Sequence, residues 1–195
     1  ALGYRIRTFR GESDLGGVRR CYREAMASAC ASDGVHPSIA KHAKATLKGV
    51  LASAATVAET FVGFWVAETS RGGDIVGCVG LADRQGGDKN NNNNLKEIKC
   101  LAVDPGSRRR GVGSALLEAA EAGHDDVLLD TLGGMDAALK LYARHGYAVV
   151  ASKTVPTKGS GPFELKTLRK TTTTTTSETT PTETTPTTTP PTTTA

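Results

Sequence analysis

Three consecutive arginines and two glycines form the part of this sequence best suited to binding an anion. Arg108, Arg109 and Arg110 precede Gly111 and Gly113, and an amphipathic helix pattern follows. The first turn of a helix carries unpaired backbone N–H groups and a partial positive charge, so phosphate is a usual ligand there. Glycine lets a ligand approach the backbone, and the arginines add positive charge. We therefore predict a phosphate site at residues 108–113.

A strand and a helix must hold this turn in place. Residues 97–103 form an apolar, strand-like run that ends at Asp104-Pro105, and residues 112–122 follow a helical pattern. Predicted strands cover residues 4–9, 61–68, 74–82, 126–131, 147–152 and 163–168, and predicted helices cover residues 15–29, 38–55 and 136–145. Ser13 or Asp14 is the expected cap of the first helix. This order predicts an α/β protein with a mixed sheet and helices packed on it.

The composition divides the chain into a folded unit and a polar end. The chain has 195 residues, which is enough for one domain with a substantial core. Between residues 171 and 195 it is almost entirely Thr, Pro and Glu, and Ala195 is the only hydrophobic residue. Because such a segment cannot bury a core, we expect one domain at residues 1–170 and a disordered tail at residues 171–195. The asparagine run predicts a low-complexity loop at residues 86–95.

Charge, cysteine spacing and hydropathy argue against several classes of function. The net charge is only +4 and aromatic residues make up 5%, which does not favour nucleic-acid binding. The four cysteines form no C-x-x-C pair and no metal-like spacing with histidine, so we expect free thiols and no metal site. No stretch approaches the roughly 20 apolar residues of a membrane span, and no signal peptide opens the chain. We expect no membrane association and a cytoplasmic location.

Two motifs carry a resemblance to a known family. Residues 108–113 read Arg-Arg-Arg-Gly-Val-Gly, and residues 137–147 read AALKLYARHGY. With the predicted order of elements, they resemble the GNAT superfamily of acetyl-CoA-dependent N-acetyltransferases, whose signatures are Gln/Arg-x-x-Gly-x-Gly/Ala and, roughly, A-x-x-L-Y-x-x-x-G-F/Y. The resemblance implies the GNAT fold, a mostly antiparallel mixed sheet of six to seven strands flanked by about four helices. One departure is Met135, where many relatives carry an asparagine that contacts the cofactor.

The resemblance implies a cofactor site on the strand and the turn. The backbone of Leu101, Ala102 and Val103 would pair with the pantetheine arm of acetyl-CoA, as a strand edge pairs with an extended peptide. Asp104-Pro105 would mark the point where this strand separates from its neighbour. The pyrophosphate would be held around residues Arg108, Arg109, Arg110, Gly111, Val112, Gly113 and Ser114.

Acetyl transfer to an amine further requires a base, an oxyanion donor and an acid. The resemblance places Tyr142 where relatives often carry the phenol that protonates the departing thiolate. Glu97 is the candidate base, since some histone-acetylating relatives use a glutamate at this place. The alternatives are a packed aromatic at Tyr142 and a solvated strand-end glutamate at Glu97. Backbone N–H groups near a strand bulge, such as that of Val103, would stabilise the oxyanion.

These features lead to a specific expectation about function. We expect an N-acetyltransferase that uses acetyl-CoA as co-substrate and transfers acetyl to a primary amine by direct attack, as a monomer or homodimer. The alternative is a non-catalytic acyl-CoA-binding regulatory module. The acceptor, a small molecule or a protein amino group, is not encoded in these motifs.

Overall fold

The computed structural model describes residues 3–31, 35–84, 95–157 and 161–171. Within those ranges seven strands form one sheet, accompanied by five helices. The strands are β1 (Tyr4–Thr8), β2 (Gly63–Thr69), β3 (Ile75–Asp83), β4 (Lys96–Val103), β5 (Asp126–Leu132), β6 (Ala148–Val155) and β7 (Phe163–Thr171). The helices are α1 (Glu12–Cys30), α2 (Ser38–Lys48), α3 (Ala54–Thr60), α4 (Val112–Glu121) and α5 (Asp136–Arg144). The predicted asparagine loop and tail lie almost wholly outside the described residues.

The sheet contains a single parallel pair, and this pair is short. Its strand order is β1-β2-β3-β4-β5-β7-β6, and every neighbouring pair is antiparallel except β4 with β5. Parallel neighbours need a crossover connection, which α4 supplies here. The two strands share only three residue pairs, which run from Lys96–Val127 to Ile98–Leu129. Beyond Ile98 the strands are no longer paired, although β5 remains paired with β7 as far as Leu132.

Each face of the sheet carries its own hydrophobic core. On one face Val18 of α1 and Ala43 of α2 belong to a buried cluster with Cys78 of β3. On the other face Leu116 of α4 belongs to a second cluster with Ile98 of β4. Neighbouring positions along a strand alternate between the two clusters because successive side chains point to opposite faces.

An ion network fastens β1 to α1 and β2. The guanidinium of Arg7 donates to both carboxylate oxygens of Asp14, at 2.6 and 2.9 Å, and to Glu68 at 2.9 Å. Arg5 reaches the other oxygen of Glu68 at 2.7 Å. The hydrogen bonds from Arg7, and next those from Arg5, lower the pKa of Glu68 to about 2, while Arg7 lowers the pKa of Asp14. The network stabilises the ionised form of both carboxylates.

The start of α1 differs from the prediction. The helix begins at Glu12 with Gly11 as its N-cap, so the expected cap at Ser13 or Asp14 is wrong. Asp14 lies inside the first turn, where its carboxylate accepts the backbone N–H of Arg10 at 2.7 Å. The side chain that resembles a cap in the sequence is therefore used by Arg7 and Arg10.

The helix predicted at residues 38–55 is two helices. The first ends at Lys48, and Ser53 caps a separate short helix that starts at Ala54. Ser53 Oγ accepts the N–H of Thr56 at 3.1 Å, and Thr56 Oγ1 accepts the N–H of Ser53 at 3.0 Å. This reciprocal capping box stops the chain from continuing as one helix.

The predicted fold class is confirmed. Every predicted strand is present, and the count of seven lies within the predicted six to seven. The five α-helices found among the described residues exceed the expected four because α3 was not predicted. None of the helices among the described residues is both long and apolar enough to cross a bilayer.

Candidate active site

The end of β4 has a free edge beside a gap in the sheet. Asp104, which follows β4, donates its backbone N–H to Val76 of β3 at 2.9 Å. Because peptide groups alternate in direction along an antiparallel strand, the N–H and C=O of Val103 point away from β3. They face the side on which β5 has already left the pairing. Val103 therefore directs its N–H to this gap, together with a carbonyl that already accepts from Arg108 Nε at 3.3 Å.

The gap opens earlier than the sequence indicated. Separation at Asp104-Pro105 was expected, but the last pair between the two strands is Ile98 with Leu129. Asp104 instead shapes the next turn, since its Oδ1 accepts the N–H of Gly106 at 2.9 Å. The unpaired part of β4 is therefore longer than predicted, and it begins at Lys99.

A bulge shapes β4 inside this unpaired part. Gly80 and Cys78, two positions apart in β3, face Lys99 and Ala102, which are three positions apart in β4. The extra residue of β4 therefore lies between Lys99 and Ala102. Within this segment Cys100 has a φ of 56°, in the left-handed region that is unusual for a residue with a side chain. Downstream of the bulge, Ala102 faces Cys78 of β3. By the same alternation the peptide groups of Ala102 point to β3, whereas those of Leu101 and Val103 point to the gap.

The turn after β4 leads into a helix start without a side-chain cap. Arg109 and Gly111 have positive φ values of 60° and 83°, and Gly111 is the N-cap of α4. No side chain accepts a hydrogen bond at this cap. The first backbone bond of the helix runs from Ala115 to Gly111 at 3.0 Å, which leaves the N–H groups of residues 112–114 outside the helical ladder. These N–H groups are suited to an anion.

Both glycines of the turn lie close to neighbouring side chains. A Cβ on Gly111 would lie 3.2 Å from Tyr4 Oη, and its φ disfavours any side chain. A Cβ on Gly113 would lie 3.1 Å from Leu141 Cδ2 of α5 and 3.7 Å from Val103 Cγ2. The start of α4 is thus packed closely against α5 and against the end of β4. The turn, the free strand edge and α5 meet at one place.

The three arginines of the turn are not equivalent. The Arg108 side chain is bound to the protein, since it donates to Ala25 O at 3.1 Å, Ser28 Oγ at 3.1 Å and Val103 O at 3.3 Å. All three arginines are exposed, Arg108 included. Arg110 lines a cleft of about 230 Å³ together with Tyr4 and Ser107. Arg109 and Arg110 can therefore reach a ligand without first breaking the contacts that hold Arg108.

Tyr142 lies in the core beside the turn. It is 7% exposed and makes an edge-to-face contact with Tyr147, with 6.0 Å between the ring centroids. Its hydroxyl makes no hydrogen bond to any residue that the structure describes. Burial raises the pKa of Tyr142 to about 12, so the phenol keeps its proton at neutral pH. Tyr142 can therefore donate a proton but not accept one.

Glu97 lies in the short part of β4 that pairs with β5, opposite Leu128. It is 7% exposed, and its carboxylate forms ion pairs with Arg84 at 3.0 Å and with Lys99 at 3.2 Å. Arg84 also contacts Asp130 of β5 at 3.1 Å. Glu97 faces Ala82 of β3, which belongs to the cluster under α1 and α2. Glu97 is therefore on the face of the sheet opposite to Tyr142.

The sequence did not indicate several features of this site. The residue types around Cys100 do not indicate a bulge. The contact of Arg108 with Ala25 of α1 joins residues that are distant in sequence. Arg84, which pairs with Glu97, lies beside the asparagine run. Buried free thiols were expected; the four cysteines are free and Cys21 and Cys78 are buried, but Cys30 is exposed. Within the described ranges no group of three or more His, Cys, Asp or Glu residues could hold a metal ion.

Comparisons with known proteins identify the class. Residues 61–149 match the family model of the acetyltransferase (GNAT) domain. No curated protein matches the sequence significantly. The family match and the fold together confirm the resemblance to the GNAT superfamily that the motifs indicated.

Solved structures share this fold at low sequence identity. An N-acetyltransferase from Staphylococcus aureus Mu50 is 18% identical, with a TM-score of 0.60 and coverage of 87% of this chain and 98% of that one. A GNAT phosphinothricin acetyltransferase from Sinorhizobium meliloti, in complex with acetyl-CoA, is 18% identical, with a TM-score of 0.60 and coverage of 87% and 89%. The ribosomal-protein-S18-alanine N-acetyltransferase from Escherichia coli is 17% identical, with a TM-score of 0.56 and coverage of 86% and 93%. These likenesses establish the fold.

Proposed function

We propose that this chain is an N-acetyltransferase that transfers acetyl from acetyl-CoA to a primary amine by direct attack. The observation that carries the proposal is the gap between β4 and β5, which opens beside the uncapped N-terminus of α4. An extended chain with an amide-bearing arm and a pyrophosphate fits this combination of a free strand edge and free helix N–H groups. The proposed domain spans residues 1–170.

The free edge of β4 and the turn would hold the two ends of the cofactor. The peptide groups of Leu101 and Val103 would pair with the pantetheine arm, while Ala102 would support the strand from the β3 side. The backbone from Arg109 to Ser114 would bind the pyrophosphate. Arg110, and Arg109 beside it, would add positive charge at the phosphates. Gly113 has no side chain, so Leu141 and Val103 pack directly against the backbone at this site.

Tyr142 would supply the proton that the departing sulfur needs. The new bond joins the amine nitrogen to the acetyl carbon, the carbon–sulfur bond breaks, the amine loses one proton and the sulfur gains one. A phenol with a pKa near 12 is a weak acid for an ordinary thiolate, but burial also makes a thiolate more basic.

Glu97 would act as the base, directly or through an ordered water. An amine with a pKa of about 10 is charged at neutral pH and must lose a proton before attack. The ion pairs with Arg84 and Lys99 hold the Glu97 carboxylate in place, one residue before the gap begins after Ile98. Backbone N–H groups next to the bulge, at Leu101 or Val103, would stabilise the oxyanion.

The experiment that tests this proposal measures thiol release from acetyl-CoA with a panel of amines and peptides. Turnover with at least one amine, and a lower rate for Tyr142→Phe, support the enzyme. Tight binding of acetyl-CoA without turnover on any acceptor would instead support a regulatory acyl-CoA-binding module. The two candidates differ in this one measurement.

A further inference from the structure

One guanidinium joins the anion-binding turn to helix α1. The Nη2 group of Arg108 donates to Ala25 O, and Nη1 donates to Ser28 Oγ, both at 3.1 Å. The Nε group donates to Val103 O at 3.3 Å. All three nitrogen atoms of the side chain are thus directed at the protein, two of them at the C-terminal half of α1. Reaching a phosphate would require this side chain to leave three acceptors, including the carbonyl of the buried residue Ala25.

The acceptor at Val103 is the group that faces the gap. Its carbonyl points away from β3, as shown by the bond from Asp104 to Val76. The pantetheine arm of the proposed cofactor would use this same carbonyl. The Arg108 side chain is therefore in contact with the proposed cofactor edge at one end and with α1 at the other.

Helix α1 belongs to the opposite face of the sheet from α4. Its buried residues, Val18 and Ala25 among them, pack in the cluster that also contains Ala82 and Ala102. Glu97 faces this side, since it is paired in register with Ala82. A change in the mobility of α1 would therefore affect the face of the sheet that carries the proposed base, Glu97.

We propose that Arg108 is a positioning residue that couples cofactor binding to helix α1, and that its side chain is not a phosphate ligand. This inference rests on the proposed function, because it needs acetyl-CoA or CoA in the gap. A ligand bound to the N–H groups of the turn fixes the backbone of Arg108, and the fixed guanidinium then holds residues 25–28 more firmly. The bound ligand thereby contributes part of the free energy that orders the end of α1, so CoA binding and this ordering favour each other.

Hydrogen exchange at the end of α1 tests the coupling. CoA is titrated by calorimetry, and exchange of the amides in residues 25–31 is followed with and without saturating CoA. In the unmodified chain CoA slows this exchange by about fivefold or more, the lower end of ordinary coupling between sites. Arg108→Gln abolishes the slowing, and its dissociation constant for CoA changes much less than that of Arg110→Gln. Ser28→Ala, which leaves the turn untouched and is compatible with a helix, reduces the slowing.

The matched control is Arg110→Gln, which weakens CoA binding but retains the slowing at saturation. Slowing that persists in Arg108→Gln would overturn the inference, as would a loss of CoA affinity in that variant equal to the loss in Arg110→Gln. Should Arg108→Gln fail to fold, unchanged slowing in Ser28→Ala would overturn it. CoA binding to the unmodified chain with no response in α1 refutes only the coupling. Absence of any CoA binding refutes the proposed function as well.

Discussion

Glu97 and Tyr142 lie on opposite faces of the sheet. Glu97 faces Ala82 in the core beneath α1, whereas Tyr142 packs in the cluster with α4 and Ile98. The pairing of β4 with β5 ends at Ile98, one residue after Glu97. A thioester in this gap would have the acid on one side and the base on the other, which suits a direct attack in which one proton leaves as another arrives.

Replacing the phenol should slow the chemical step. We expect Tyr142→Phe to lower kcat by about 100-fold, the lower end of the effect of a positioned acid. Its ring remains in the core against Tyr147, so the dissociation constant for acetyl-CoA should be retained. Thiol release and calorimetry measure the two quantities. Unchanged kcat would show that Tyr142 is only a packed aromatic.

The rate should not fall in mildly alkaline solution through loss of the Tyr142 proton. Burial raises its pKa from 10 to about 12, so the phenol stays protonated up to roughly two pH units above its usual titration. Ionisation of Tyr142 should therefore cause no decrease in kcat between pH 8 and about 10. A loss of kcat in that range that disappears in Tyr142→Phe would contradict this.

The carboxylate of Glu97 should be needed for the rate. We expect Glu97→Gln to lower kcat/KM by about 100-fold, because the amide cannot take a proton from the amine. Asp130→Asn, which also removes a partner of Arg84, is the matched control and should keep the rate. If Glu97→Gln retains the rate, Glu97 is not the base.

The Arg7 network should make stability depend on acid. Glu68 has a pKa of about 2 in the folded chain against an ordinary value of 4.5, and the pKa of Asp14 is lowered in the same direction. Groups with a lowered folded pKa stabilise the protein above their unfolded pKa and lose that effect as pH falls. The free energy of unfolding should thus decline between about pH 4.5 and 2, measured by urea denaturation.

Removing one partner of this network should be costly even at neutral pH. We expect Asp14→Asn to lower the free energy of unfolding by about 3 kcal/mol, because it removes one of the two carboxylate partners of the largely buried Arg7. Arg20→Gln, which breaks the exposed pair with Asp74, is the control and should change stability little. Equal effects of the two variants would contradict the role assigned to burial.

Local patterns predicted the elements of the fold, and long-range contacts set what the patterns missed. Strand-like residue patterns located every strand, and the glycines at 111 and 113 located the turn before α4. Asp14 has the type of a helix cap, but Arg7 of β1 uses its carboxylate. The Ser53 and Thr56 capping box was readable, yet the helical periodicity running across residues 49–53 concealed it.

The candidate site shows the same division. The motif located residues 108–113, but the direction of the Arg108 side chain depends on Ala25, more than eighty positions away in sequence. The left-handed conformation of Cys100 arises from the bulge opposite Cys78 and Gly80, and cysteine does not favour that conformation intrinsically. Such features follow from the assembled sheet rather than from residue type.

The most direct test of the central claim is an NMR titration of the chain with CoA that follows the backbone amides. The account predicts that the largest changes occur at Leu101 and Val103 and at residues 109–114, and that Gly113→Val, which fills the close contact with Leu141, abolishes them. Binding with changes confined to other parts of the sheet, or unaltered binding in Gly113→Val, would contradict the assignment of this gap and turn as the cofactor site.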